Sequence, residues 1–358
     1  MSNIDILKNY DILFKNDYII NIFEDETNES FCKYVSSRGL IKSMDIYSPK
    51  PFSNTNNINN INNINNNIKI TETNSNYIYP DFVIKSISPT IYIRNSAIPF
   101  FIKNILPSIK FKFILISGDD DELIPDEIFN TDFERDLFIL DDRLIHWFCQ
   151  NWRMGNNRKV TLMPIGLDYH TLSNINHTTN WGSYGTPINQ ERELLDIIND
   201  SNINTLPFWK RKPICYGNFH FNLHNHKITD RMDAIKQIPP QCIYYEPVFI
   251  NRIKIWQNQS KYCFVASPRG NGLDCHRTWE ALVLGCIPVV TKSPLDILYN
   301  DLPVLIVEKW SDITPELLNE TIIKMKIKYE KGEFKFEQLT LKYWVDKINS
   351  YKIPIKFI

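Results

Sequence analysis

Short apolar runs and amphipathic stretches alternate along most of the chain, most plainly in its second half. Residues 213–216, 242–245, 262–266, 287–290 and 304–307 are apolar runs of four or five residues, a length and pattern that predict buried strands. Between them, 230–237, 248–260, 274–284 and 294–299 carry helical spacing. Asp274 is placed to cap the third of these helices and Gly285 to stop it. Thr314-Pro315-Glu316 reads as a capping hydroxyl followed by proline at the first helical position. Strands and helices that alternate with short connections predict parallel strands covered by helices on both faces, an α/β chain.

The first half is less regular. FKFILIS at 111–117 predicts a buried strand, and Gly118-Asp119-Asp120-Asp121 the turn after it. Residues 81–94 read as extended, 97–109 as a short helix bounded by prolines, 133–152 as helical, and 159–165 as a strand ended by Gly166. One segment stands apart: ten of the fourteen residues from Asn54 to Asn67 are Asn. Such low complexity buries too little apolar surface to order a backbone, so a disordered surface insert is expected.

The chain has 358 residues, which at roughly 150 residues per domain suggests two domains. We expect an N-terminal domain over 1–208 carrying the 54–67 insert, and a C-terminal domain over 209–338. The tail 339–358, with Tyr343, Trp344 and Tyr351 as anchors, is expected to pack back on the first domain. Forty Lys+Arg against forty-one Asp+Glu leave a net charge of −1, which argues against a dedicated nucleic-acid binder. The longest apolar run, 281–290, is half the length of a membrane helix and contains Gly285 and Pro288. The N-terminus lacks a basic start followed by an apolar core, so no signal peptide is expected. Seven cysteines without CxxC spacing suggest reduced, buried thiols and a cytosolic or cytosol-facing location.

The chemistry concentrates in YCFVASPRGNGLDCHRTWEALVLGCIPVV, 262–290. This reads as a strand, a loop with Gly270, Asn271 and Gly272, a helix, and a second strand. The glycines allow close approach or positive φ, and the helix start directs free N–H groups at the same space. Arg269 lies in the loop and Arg277 in the first helical turn. A cation there opposes the helix dipole, and is better explained by an anion such as a diphosphate, which guanidinium groups bind with paired donors. Glu280, three residues on, faces the same side and could accept from sugar hydroxyls; a surface pair with Arg277 is the plainer alternative. His276 is either a cap or a ligand contact. No Lys-Ser/Thr follows the glycines and their spacing is not GxGxxG, which excludes a Walker loop and a dinucleotide fingerprint.

These residues resemble the nucleotide-sugar signature of exostosin-like glycosyltransferases. The matching elements are Pro268-Arg269-Gly270, Arg277-Thr278-Trp279-Glu280-Ala281-Leu282 and Gly285-Cys286-Ile287-Pro288-Val289, with Leu302-Pro303-Val304 and Trp310 downstream. The resemblance spans roughly 90–330 and is specific over 262–310. It implies a GT-B architecture, two Rossmann-like domains facing each other across a cleft, with the nucleotide sugar on the second domain and a glycan or glycoprotein acceptor on the first. It implies a UDP- or GDP-linked donor, no metal or other cofactor, and Arg231 as a further phosphate contact. If the enzyme inverts, a base must take the acceptor proton. Asp168 is favoured over Asp119, His146 and His170 because IGLD ends a strand.

Two competing readings follow from other residues. Asp119-x-Asp121 after a strand could hold a divalent ion as in GT-A transferases, against the plainer reading of a solvated acidic turn. A non-catalytic nucleotide-sugar or glycan-binding protein would keep the pocket and lack transfer. His220, His224 and His226 crowd one loop without a convincing fourth zinc ligand.

Overall fold

The computed structural model describes residues 31–47, 88–155, 157–173, 181–200, 206–219 and 230–353. The asparagine-rich stretch 54–67 and the histidines at 220, 224 and 226 lie outside the described residues. The described chain forms two compact units. One contains Ser37–Met163 and the C-terminal stretch from Trp344; the other contains Phe31–Ser36 and Pro164–Tyr343.

The first unit is built on five parallel strands: β1 (Ile46–Tyr47), β2 (Thr90–Arg94), β3 (Phe113–Gly118), β4 (Leu144–Cys149) and β5 (Val160–Leu162). Their spatial order is 1-2-3-4-5. Every residue of β3 is buried, so both faces of the sheet are covered. Helix α1 (Ser37–Lys42) belongs here, as does α2 (Asp132–Ile139). The side chain of Thr131 caps α2, accepting from the Glu134 N–H at 3.2 Å.

The helix expected over 133–152 is therefore two elements. After α2, Arg143 pairs with Asp141 in a tight turn, and LIHWFC becomes β4, between β3 and β5. A short apolar run gives the same periodicity signal whether it is a buried strand or a buried helix, and pairing partners decide. Trp147 and Trp152 are fully buried core residues. The Trp147 indole N–H donates to Ser117 Oγ at 2.9 Å. The C-terminal stretch packs within this unit: the Tyr351 ring lies 4.1 Å from that of His146, and Lys352 pairs with Asp45 at 2.7 Å.

The acidic turn after β3 is only partly solvated: Asp121 is exposed, and Asp119 is buried. Asp119 and Asp120 are committed to arginines, with Arg38 Nε 3.1 Å from Asp119 Oδ2 and Arg94 Nη2 3.0 Å from Asp120 Oδ1. Both pairs are nearly inaccessible to solvent. A metal-binding Asp-x-Asp needs carboxylates offered to an ion, so this pairing speaks against the GT-A alternative.

The second unit carries β6 (Lys212–Gly217), β7 (Ile243–Tyr245), β8 (Tyr262–Ala266), β9 (Ile287–Thr291) and β10 (Leu305–Val307), again all parallel. Its helices are α3 (Pro187–Asn199), α4 (Asp230–Gln237), α5 (Arg252–Gln259), α6 (His276–Val283), α7 (Asp296–Tyr299), α8 (Pro315–Glu330) and α9 (Leu341–Asn349), the last ending in the first unit. Gly285 takes φ +70° directly after α6, as a helix stop requires. The strand order is 10-9-8-6-7. The chain runs outward from β6 to β7, returns to the other side of β6 as β8, and continues outward to β10. The direction of winding thus reverses between β6 and β8, and such a point opens a crevice beyond the carboxyl ends of the strands.

Both units are parallel α/β structures of the Rossmann-like kind expected from the sequence. The division at Met163/Pro164 differs from the expected one at 208/209. Residues 164–200 are tied into the second unit by long-range hydrogen bonds that a linker-like composition does not reveal. The Ile165 N–H donates to Asp274 Oδ2 at 2.8 Å, and Arg252 donates to the Asp168 carbonyl and to Gln190 Oε1. None of the seven cysteines forms a disulfide, and six are buried. Among the described residues no helix is long and apolar enough to cross a membrane.

Candidate functional site

A cavity of about 550 Å³ opens where the second sheet reverses. Its wall is drawn from the ends of three neighbouring strands. Asn218 and Phe219 follow β6, residues 246–250 follow β7, and Cys275, His276, Arg277 and Glu280 come from the β8 loop and the start of α6. Arg231 on α4, Arg252 on α5, and Asp168, Thr171 and Trp181 complete it. Of the residues singled out from sequence, Asp168, Arg231, His276, Arg277 and Glu280 therefore share one cavity.

Arg277 is held by its surroundings. Its Nε donates to Asn218 Oδ1 at 3.3 Å and its Nη1 to the Pro268 carbonyl at 3.4 Å. The guanidinium lies 5.6 Å from the centre of the Phe219 ring, within range of a cation–π contact. Arg231 is positioned by its neighbour. Asp230 is buried and accepts from the Arg269 backbone N–H at 2.8 Å and the Trp310 indole N–H at 2.6 Å. These bonds tie the first turn of α4 to the loop after β8, leaving Arg231 against Gly270. A Cβ at Gly270 would meet Arg231 Nη2 at 2.9 Å. The need for glycine here is space beside a guanidinium, and its φ is not positive.

Arg269 is placed differently. Its side chain is exposed, and it borders a smaller pocket of about 90 Å³ beside Ser267, Thr291 and Lys292. Arg231, and not Arg269, lines the larger cavity with Arg277. The backbone explains the exchange: the Arg269 N–H is spent on Asp230, which turns this residue outward. Asn271 is exposed and Gly272 buried, and neither lines the larger cavity. Asp274 is not the cap of α6, which has Cys275 at that position with no side-chain cap bond. Instead Asp274 is buried under the Ile165 N–H and the Trp279 indole N–H, the latter at 2.9 Å. Burial pushes its carboxyl up to about 6, against those hydrogen bonds.

Glu280 is buried in the cavity wall, and burial raises its carboxyl although Arg252 and His276 pull the other way. Arg252, absent from the sequence reading, is almost wholly enclosed. It lies between the Trp181 and Trp256 rings at 4.9 and 4.5 Å. No local pattern singles it out, because its partners Asp168 and Gln190 are 84 and 62 residues away.

Asp168 is fastened on several sides. Thr171 donates to it from its N–H at 3.0 Å and its hydroxyl at 2.7 Å, and His170 Nδ1 lies 3.1 Å from Oδ1. Burial alone would raise this carboxyl, but His170, His276, Arg252 and the Thr171 N–H outweigh it and hold it well below the usual carboxylate range. A carboxylate held so low is a weak proton acceptor. Asp168 is better suited to orient its neighbours than to act as the base expected from IGLD. His276 Nδ1 sits 2.7 Å from the Gly166 carbonyl. A carbonyl only accepts, so Nδ1 carries the proton and Nε2 is the remaining ring nitrogen.

The whole is an arginine-bearing cavity at a switch point, lined also by Pro247, Val248, Phe249 and Ile250. Chemically it offers cationic, hydrogen-bonding and apolar groups to one ligand. No protein-family model matches the chain, and no curated protein matches it. Among solved structures, the apo structure of OtsA is similar at 10% identity and a TM-score of 0.31, covering 73% of this chain and 70% of that one.

Proposed function

We propose that the protein is a glycosyltransferase of GT-B type, similar to the exostosin-like enzymes, that moves a sugar from a UDP- or GDP-linked donor to a hydroxyl of a glycan or glycoprotein. The observation that carries this is the convergence of Arg231, Arg277, His276 and Glu280 on one cavity at the switch point of a parallel sheet. The match of 268–289 to the nucleotide-sugar signature supports the same assignment.

In this mechanism the bond between the anomeric carbon and the diphosphate oxygen breaks, and the acceptor oxygen bonds to that carbon. Negative charge collects on the departing diphosphate. Arg231 and Arg277, with the backbone N–H groups at the start of α6, are preorganised to receive it. That arrangement supplies positive charge without a cation bridging the phosphates, so transfer is expected to survive EDTA. Glu280 accepts hydrogen bonds from sugar hydroxyls. Inversion requires a proton acceptor for the incoming hydroxyl.

A thermal-shift screen of nucleotide sugars tests the donor site, because a ligand that binds only the folded state raises its melting temperature. Transfer or donor hydrolysis by the stabilising nucleotide sugar then tests the reaction. Stabilisation without turnover would identify a non-catalytic binding protein, and no stabilisation by any UDP- or GDP-sugar would remove the donor assignment.

A further inference from the structure

Asp168, His170 and His276 offer one carboxylate oxygen and two imidazole nitrogens that all lie within 4.8 Å of one another. We propose that these three side chains bind a divalent first-row transition ion, which clips the segment after β5 to the first residue of α6. The assignment does not rest on the glycosyl-transfer mechanism.

Two of the three donors already stand at the spacing of ligands. Around an ion at about 2.1 Å, neighbouring ligand atoms sit roughly 3–3.5 Å apart. His170 Nδ1 and Asp168 Oδ1 are 3.1 Å apart, and the two imidazole rings have centres 5.6 Å apart. His276 offers its ligand atom within 4.8 Å of the other two.

The outer contacts match those of bound metals. A ligating His commonly donates its other ring N–H to a carbonyl, which fixes the tautomer and aims the second nitrogen at the ion. His276 makes that contact with the Gly166 carbonyl through Nδ1 at 2.7 Å. Ligating carboxylates are likewise held by hydrogen bonds, and Thr171 holds both oxygens of Asp168. Each carboxylate oxygen has a second lone pair, so these bonds leave room for a metal. Arg252 donates to the Asp168 carbonyl, and its charge acts on both Asp168 and Glu280.

The ligand set selects the ion class. Two imidazoles and a carboxylate suit Zn²⁺, Co²⁺ or Fe²⁺, whereas Mg²⁺ and Ca²⁺ prefer all-oxygen shells. Three protein ligands leave a fourth position open. Asp168 and His276 both line the cavity, so that position faces whatever the cavity holds.

The test uses the full chain, stripped with EDTA and desalted. Zn²⁺ is titrated by calorimetry and Co²⁺ by visible absorption. One equivalent of Zn²⁺ is expected to bind with a Kd of about 1 μM or tighter, raising the melting temperature by several degrees, and Co²⁺ is expected to show the absorption of a nitrogen–oxygen site. His276→Gln and His170→Ala, verified as folded by circular dichroism, should each weaken binding at least 100-fold. Asp168→Asn serves as a third variant should either histidine variant fold poorly. No uptake by the wild-type chain overturns the assignment. Undiminished uptake in folded variants also overturns it, because the ion then sits elsewhere, such as on the histidines at 220, 224 and 226. Donor binding by thermal shift in EDTA reports on the glycosyl-transfer mechanism separately.

Discussion

Gly270 lies against Arg231 so closely that a β-carbon there would come within 2.9 Å of Nη2. The contact joins the loop after β8 to the start of α4 and sets where that guanidinium points. The obstructing atom is the far end of a flexible side chain, so Gly270→Ala should displace Arg231 without breaking the fold. We expect a melting temperature within a few degrees of wild type and nucleotide-sugar affinity reduced about tenfold, near 1.4 kcal/mol. Calorimetric titration of the donor checks it; unchanged affinity would detach Arg231 from the anion.

Arg277→Ala should lower turnover by about 10²–10³-fold, the usual cost of losing one preorganised donor to a developing oxyanion. Arg277→Lys keeps the charge but not the paired donors, and is expected to recover only part of the rate. Glu280→Gln should chiefly weaken donor binding. Purified variants with normal unfolding curves and wild-type kcat and KM would remove both residues from the site.

Arg252 is a different case. It is buried between two tryptophans and satisfies Asp168 and Gln190. Removing one partner from such an enclosed polar set typically costs about 3–5 kcal/mol. Arg252→Met should therefore lower the midpoint of urea unfolding sharply, and any loss of activity should follow the loss of folded protein. A stable variant lacking activity would show instead that Arg252 acts on the ligand directly.

His146 is expected to make the first unit acid-sensitive. It is buried among Thr161, Phe148 and Tyr351, and burial, with the Lys347 charge, brings it down to about 4. A histidine with a depressed folded value contributes stability that is present above the unfolded value near 6.5 and is lost as pH falls through the folded one. The window is therefore pH 6.5 to 4, and the full effect is roughly 3 kcal/mol. Melting temperatures measured across that window should fall steadily for wild type, and His146→Gln should flatten the slope. An equal slope in the variant would assign the acid sensitivity to other groups.

Much of the fold was legible along the chain. The strands β6 to β10 are short apolar runs between turn residues, and the helices between them carry helical spacing, because both faces of a parallel sheet are buried. Within the loop and helix at 268–280, which stand out in the sequence for their glycines and arginines, His276, Arg277 and Glu280 line the cavity, and Arg269, Asn271 and Gly272 do not. Which cations share a cavity was not legible. Arg231 rather than Arg269 lines the cavity with Arg277, and Asp230 accepts from the Arg269 N–H and the Trp310 indole, partners 39 and 80 residues away. The strand nature of LIHWFC, the burial of the Asp119–Arg38 pair and the junction of His276 with Asp168 arose in the same way. Local sequence determines periodicity, caps and turns, which act over a few residues. Tertiary structure alone decides which distant polar groups meet, because a buried hydrogen bond forms only where the packed core leaves its partner.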